Sequence, residues 1–216
     1  MSLLKRGLFI TFEGVEGSGK TTQVKALAEW FEQKSIPCVL VRDPGTTAVG
    51  EKIREILLNP ENSIHPKCEV ILFLAARSQL VYEKILPALR EKKVVISDRF
   101  FDSTYAYQIC GRGLPERLLT IFNRFASAGL KPDLTFLVDI DITDGQARGK
   151  CIDRMEKQEF SYHKDVRAGY LKLARRAKKR IKILDGKKPV DMIREEVINY
   201  VKNLLERKGY YYENKK

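Results

Sequence analysis

Eight residues, Gly14-Val15-Glu16-Gly17-Ser18-Gly19-Lys20-Thr21, carry the most legible chemistry in this chain. They fit G-x-x-x-x-G-K-[ST], a pattern that wraps the phosphates of a nucleoside triphosphate. The glycines let the backbone approach a ligand closely. Successive N–H groups between Gly14 and Thr22, those of Val15 and Ser18 included, then turn inward as an anion-binding nest. A helix that starts at the end of the loop adds its positive end. Lys20 is the residue to reach the β- and γ-phosphates, and the Thr21 hydroxyl the one to hold Mg²⁺.

A second group stands at Ser97-Asp98-Arg99, after the apolar run Val94-Val95-Ile96. A carboxylate at such a strand end associates with Mg²⁺, directly or through water, in phosphate-loop enzymes. Arg99 beside it has the charge to neutralise a phosphoryl group in transit. The chain's two histidines, His65 and His163, stand in no activating pattern, and no serine sits in a nucleophile elbow. If the acceptor is itself a phosphate, no general base is required, because its oxygen is largely ionised near neutral pH. The task is then to align two polyanions and screen their charge, which calls for Lys, Arg and Mg²⁺. The guanine-reading pattern Asn-Lys-x-Asp of a GTPase is absent from the sequence.

Positioning these groups requires strands and helices in alternation. Leu8–Phe12, Cys38–Val41, Val94–Ile96, Leu134–Val138 and Ile181–Leu184 are apolar and β-prone. Helical spacing covers Thr22–Gln33, Val49–Leu58, Lys67–Glu91, Asp102–Ile109, Glu116–Ala128 and Val190–Glu206. The pattern predicts an α/β fold, a five-stranded parallel sheet with helices on both faces. Ligands of such sheets bind at the carboxyl ends of the strands. Glu13 and the glycine loop, Arg42-Asp43-Pro44-Gly45, and Ser97-Asp98-Arg99 all fall there. A tail beginning at Gly209 is expected to fray.

A chain of 216 residues suits one domain, residues 1–216, with room for an inserted lid. No apolar run reaches the ~20 residues of a membrane span, and the N-terminus lacks a secretory pattern. The expectation is a cytoplasmic protein with no membrane partner. Cys38, Cys68, Cys110 and Cys151 form no C-x-x-C pair and read as small buried residues of a reducing compartment. The formal net charge is +12. From Ile142 onward there are 21 Lys plus Arg against 11 Asp plus Glu. A basic third of this kind can bind nucleic acid, or steer phosphorylated small molecules, or simply be solvated, the reading preferred for Arg175–Arg180.

Taken together, these residues resemble the thymidylate kinase family, in its bacterial-type branch. The likeness runs from about Leu8 to the last helix. It rests on Phe12–Gln23, on Arg42-Asp43-Pro44-Gly45-Thr46-Thr47 with Gly50–Arg54, on Leu72-Phe73-Leu74-Ala75-Ala76-Arg77, on Asp98-Arg99-Phe100 with Ser103–Gln108 and Arg112-Gly113, and on Asp153–Glu156 with Val166–Tyr170. The resemblance implies a phosphate-loop kinase with a short lid at about 148–160. The implied activity is ATP-dependent phosphorylation of dTMP to dTDP in dTTP synthesis, with Mg²⁺ as cofactor, a homodimer as the assembly and no nucleic-acid partner. It implies that Phe73 stacks on thymine, that Arg77 donates to thymine O4, and that Gln108 and Thr104 complete the polar contacts to the base. Tyr107 would crowd the sugar's 2′ position, and Arg42, Arg54 and Arg99 would hold the acceptor phosphate. Glu16 would meet a sugar hydroxyl or a metal-bound water. Gly17 stands in the loop where another branch has an arginine, so Arg148, Lys150 and Arg154 are the lid's candidate cations. Pro44 is implied to follow a cis bond. The chain departs from the family's usual Arg-Glu-Pro-Gly-Gly at Asp43 and Thr46, and carries Phe100 and Gln158 where tyrosine and glutamate are usual. Three other readings stand beside this one: another nucleoside monophosphate or deoxynucleoside kinase, a nucleic-acid-binding ATPase, and a non-catalytic nucleotide-binding protein.

Overall fold

The computed structural model describes residues 7–148 and 153–210. Strand β1 (Leu8–Glu13) feeds the glycine loop, and helix α1 (Lys20–Gln33) leaves it. The order continues with β2 (Cys38–Arg42), α2 (Ala48–Leu58), α3 (Pro66–Leu80), α4 (Leu86–Arg90), β3 (Val94–Asp98), α5 (Phe101–Thr104) and α6 (Glu116–Ala126). Then come β4 (Leu134–Asp139), α7 (Ile142–Arg148), α8 (Phe160–Arg176), β5 (Ile181–Asp185) and α9 (Val190–Arg207). The five strands are paired in parallel in the order β2-β3-β1-β4-β5, as the alternating pattern predicts.

The central strands β1, β3 and β4 are buried along nearly their whole length, so each reads as an unbroken apolar run. On one face Leu8, Ile10, Phe12, Ile96 and Phe136 pack with Leu27 and Phe31 of α1 and Val197 and Val201 of α9. On the other, Phe9, Val41 and Val95 pack with Leu80, Val81 and Phe100. The register puts Phe12 beside Asp98, and Asp98 beside Arg42. Neighbouring strands therefore deliver Glu13, Asp98 and Arg42 to one rim.

Several elements depart from the sequence pattern. The single helix predicted over Lys67–Glu91 is interrupted by a π-helical turn at Val81–Ile85. Pro87 lacks the N–H that would bond back one turn, and this accounts for the break. Helix α6 stops at Ala126 rather than Ala128 because Ala128 and Gly129 turn through positive φ, 52° and 69°. No element is predicted at Ile142–Arg148, where Gly145 and Asp144 are poor helix formers, yet α7 forms there with Ile142 and Gly145 turned inward. The run Arg175–Arg180 is not uniformly solvated. Arg180 forks onto buried Asp102 at 2.5 and 2.8 Å, and Arg176 reaches Tyr105 at 3.0 Å. Cys68 is exposed, and Cys38 and Cys110 are only half-buried, rather than all buried as expected. At the C-terminal end Gly209 leads into Tyr210, which is packed in the core, so fraying does not begin there; residues 211–216 of the predicted tail, like Lys150 and Cys151, lie outside the described residues.

Candidate active site

The carboxyl rim of the sheet opens into a cavity of about 330 Å³. Glu16, Gly17, Lys20, Thr21, Arg42, Pro44, Arg54, Phe73, Asp98, Arg99, Tyr107 and Gln108 line it, all of them residues singled out in the sequence. Asp43, Leu58, Ser103, Asp153, Met155 and Glu156 complete the wall.

At the phosphate end, Gly19 begins α1 with φ 90°, and Lys20 Nζ donates to the Val15 carbonyl at 3.2 Å. Lys20 is almost fully buried. Burial, helped by the nearby Arg99 charge, pushes its amine down to about 8. A bound triphosphate would restore the charge. Among the described residues, buried Ser18 Oγ has no hydrogen-bond partner. Thr22 is exposed on the first turn of α1. Gly17 lies so close to α7 that a Cβ there would meet the Gly145 carbonyl oxygen at 2.0 Å. With φ +70° as well, this loop position accepts no side chain, let alone the arginine of the other branch.

Thr21 Oγ1 donates to Asp98 Oδ2 at 2.6 Å. Among the described residues no cluster of three or more His, Cys, Asp or Glu could hold a metal by itself. One hydroxyl and one carboxylate, hard oxygen donors beside a phosphate loop, nevertheless fit Mg²⁺, which keeps most of its shell as water and substrate phosphate.

Arg99 forms the floor. Its backbone sits at φ +69° and its N–H bonds to the Phe12 carbonyl at 2.9 Å, which turns the side chain across the cleft. The guanidinium donates to the Gly14 carbonyl (2.8 Å), Tyr170 Oη (2.9 Å) and Glu16 Oε1 (2.9 Å), and lies over the Tyr107 ring at 4.9 Å. Glu16 also accepts from Tyr107 Oη at 2.6 Å. Burial alone would raise its carboxyl, but Arg99 and Lys20 outweigh burial and keep it below the usual carboxylate range. Glu13 differs. It is fully buried, takes bonds from the Phe100 N–H and Tyr170 Oη at 2.8 Å each, and is driven up to about 8 by burial and then by Asp102.

On the wall formed by Arg42, Pro44 and Arg54 the Asp43–Pro44 peptide is cis, as the resemblance implies. Thr46, where glycine is usual, adopts φ +70° and caps the Arg42 N–H at 2.7 Å. Arg42 forks onto Glu51 at 3.0 Å, and Arg54 donates to the Pro44 carbonyl at 3.1 Å. Burial, then the Arg42 charge, lowers the Arg54 guanidinium, so an anion between the two would be welcome.

Four predicted residues stand elsewhere. Arg77 is buried behind the wall, and its donors run to Asp43 (2.5 Å), Thr104 (2.7 Å), Asn123 (2.5 Å), the Phe100 carbonyl (3.3 Å) and Ser103 (3.5 Å). That occupies all five guanidinium N–H groups. Thr104 lies behind the wall with it, fully buried. Arg154 is held by Glu69 (2.8 Å) and the Leu57 carbonyl (2.8 Å) rather than lining the cavity. Arg148, at the end of α7, is exposed and donates to the Gly186 carbonyl at 3.0 Å. The residue that sequence reasoning passed over is Glu69. The available signal was a lone acid inside the apolar helical run Cys68–Leu74.

Fold and rim together define a phosphate-loop kinase of the α/β class. A sequence model of the family described as Thymidylate kinase matches residues 12–197. The chain is 48% identical over 202 residues to a thymidylate kinase of Carboxydothermus hydrogenoformans, covering 92% of this chain and 98% of that one. It is 43% identical over 206 residues to one of Kosmotoga olearia, covering 94% and 99%. The crystal structure of thymidylate kinase from Ehrlichia chaffeensis superposes with a TM-score of 0.76 at 32% identity, covering 91% and 98%. The chain belongs to the thymidylate kinase family.

Proposed function

We propose that the protein transfers the γ-phosphoryl group of ATP to dTMP, giving dTDP and ADP in the supply of dTTP. The observation that carries this reading is the joining, in one cavity, of a triphosphate loop to an arginine-rich acceptor end and a half-buried aromatic, Phe73. Residues Gly14 to Thr22 hold ATP, and Lys20 meets its β- and γ-phosphates. Thr21 and Asp98 would hold Mg²⁺, which would supply charge neutralisation across the phosphates. Arg42, Arg54 and Arg99 hold the acceptor phosphate. Its own ionised oxygen attacks the γ-phosphorus as the bond to the β-phosphate oxygen breaks, so alignment and screening do the catalysis. Phe73 stacks on the thymine, Gln108 and Ser103 bond its edge, and Tyr107 bars a 2′-hydroxyl. Glu16 takes the sugar hydroxyl. Arg77 and Thr104 act from behind the wall, by fixing Asp43 and the Phe100–Ser103 turn.

For the lid, the arrangement supports Arg148 over Arg154, since Arg154 is committed to Glu69. A homodimer is supported by the outer face of α6, where Leu118, Ile121, Phe122 and Phe125 form an exposed apolar stripe; Ile71 of α3 is also exposed. The cytoplasm is the proposed setting, consistent with free Cys38, Cys68 and Cys110. No helix among the described residues is long and apolar enough to cross a membrane.

An ADP-release assay over dTMP, dUMP, UMP, dCMP and AMP tests the reading. dTMP is expected to have the highest kcat/KM; preference for a cytosine or purine acceptor would overturn it.

A further inference from the structure

Glu69 lies on α3, fully buried, and accepts from three side chains. Arg112 reaches it through Nε (3.3 Å) and Nη2 (2.9 Å), Arg154 through Nη1 (2.8 Å), and Gln108 through Nε2 (3.3 Å). A carboxylate facing two guanidiniums can only accept, so the Gln108 amide must turn its NH₂ toward it. The amide plane then leaves the Gln108 oxygen on the opposite side, for the cavity that Gln108 lines. Among the described residues no hydrogen bond is made to that oxygen.

We propose that Glu69 is the positioning residue for base selection: it locks Gln108 with its oxygen inward, so that the cleft admits only a ring carrying hydrogen at N3. Thymine and uracil carry that hydrogen. Cytosine presents a bare N3 lone pair, which would face the Gln108 oxygen with nothing to share, and a buried unpaired polar group is the strongest form of rejection a pocket has. The same carboxylate ties the base reader to the root of the lid. Arg154 follows Asp153 of the cavity wall, and Arg112 bonds Gln158 at 2.8 Å while lying over the Tyr162 ring at 4.6 Å. The inference rests on the dTMP kinase reading above.

The test compares dTMP with dCMP as acceptors in four proteins: wild type, Glu69→Gln, Gln108→Glu, and the exchanged pair Glu69→Gln/Gln108→Glu. In Glu69→Gln nothing dictates the direction of the Gln108 amide. The dTMP-to-dCMP ratio of kcat/KM is expected to fall at least ~10-fold, while KM for ATP moves less than ~3-fold. Gln108→Glu alone sets two carboxylates together and should lose dTMP activity. In the exchanged pair the position-108 side chain again can only accept from the ring, so selectivity is expected to return to within ~3-fold of wild type. A merely structural role for Glu69 predicts no such rescue. A folded Glu69→Gln with undiminished selectivity, or an exchanged pair as unselective as that single variant, overturns the proposal. Should Glu69→Gln not fold, the exchanged pair decides alone. Wild type that uses dCMP as readily as dTMP would sink the functional reading, and this proposal with it, before any variant is compared.

Discussion

Arg99 and Glu16 form an ion pair on the floor of the cleft, with 2.9 Å between Nη2 and Oε1 and both side chains largely shielded from solvent. An acceptor phosphate would come to rest beside a cation that is already aimed and already partly desolvated. Removing it removes a preorganised charge at the transferring group. Arg99→Ala is expected to lower kcat at least ~100-fold, and Lys20→Ala the same, with circular dichroism and Tm close to wild type. Turnover within a few-fold of wild type would refute both roles.

With Lys20 in its proposed place at the phosphates, nucleotide binding would be a protonation event. The Lys20 amine, held down to about 8 in the free protein, would be driven back up by a triphosphate at the proposed loop site. At pH 8 binding should therefore take up roughly half a proton per site, given a half-neutral lysine that becomes fully charged. Calorimetry in two buffers of different ionisation enthalpy reads this directly. Uptake that persists unchanged in Lys20→Met would assign the proton elsewhere.

Glu13 makes stability depend on pH in the opposite sense to an ordinary surface carboxylate. Its folded value, about 8, exceeds the model-peptide value of 4.5. The folded state thus favours the protonated form; that contribution is complete below 4.5 and is lost as pH rises toward 8. Glu13→Gln carries no charge and does not share the loss. Its Tm relative to wild type should climb between pH 5 and pH 9 (roughly this window, from the two values). A constant difference across that range would show that Glu13 ionises freely.

The crowding of Gly17 against Gly145 gives a further handle. Even one methyl group at position 17 must displace α7 or the loop, and it also meets a positive φ. Gly17→Ala is expected to cost about 2 kcal/mol or more of stability and to raise KM for ATP. Thermal melts with and without ATP separate the two effects. A variant with unaltered Tm would mean that α7 yields without cost.

The α6 stripe predicts assembly. Phe125 is 82% exposed, an unusual state for so large an apolar ring. Sedimentation equilibrium should find a dimer for wild type and a monomer for Phe125→Glu. A monomeric wild type would leave the stripe without its proposed partner.

The local patterns that could be read from sequence were those in which one short stretch does one job. Gly14–Thr21 needs no distant partner to be recognised, and the buried strands Leu8–Glu13 and Leu134–Asp139 announce themselves by composition. Long-range pairings were not legible. Nothing about Arg154 says that Glu69, 85 positions away by number, will hold it. Likewise Arg77 reads as an arginine free to meet a ligand until the fold brings Asp43, Thr104 and Asn123 around it. Helix α7 was invisible because its stability comes from docking on the glycine loop rather than from its own residues. The binding function of an arginine depends on which of its donors remain unused, and only the packed chain determines that.

The saturated guanidinium of Arg77 bears on inhibitor chemistry. A small molecule designed to grip that side chain must first strip away bonds already made to Asp43, Thr104 and the Phe100 carbonyl, so little net affinity is gained. Compounds that instead engage the Gln108 oxygen, and lay a flat ring on Phe73, would meet groups of the cavity lining without breaking those bonds.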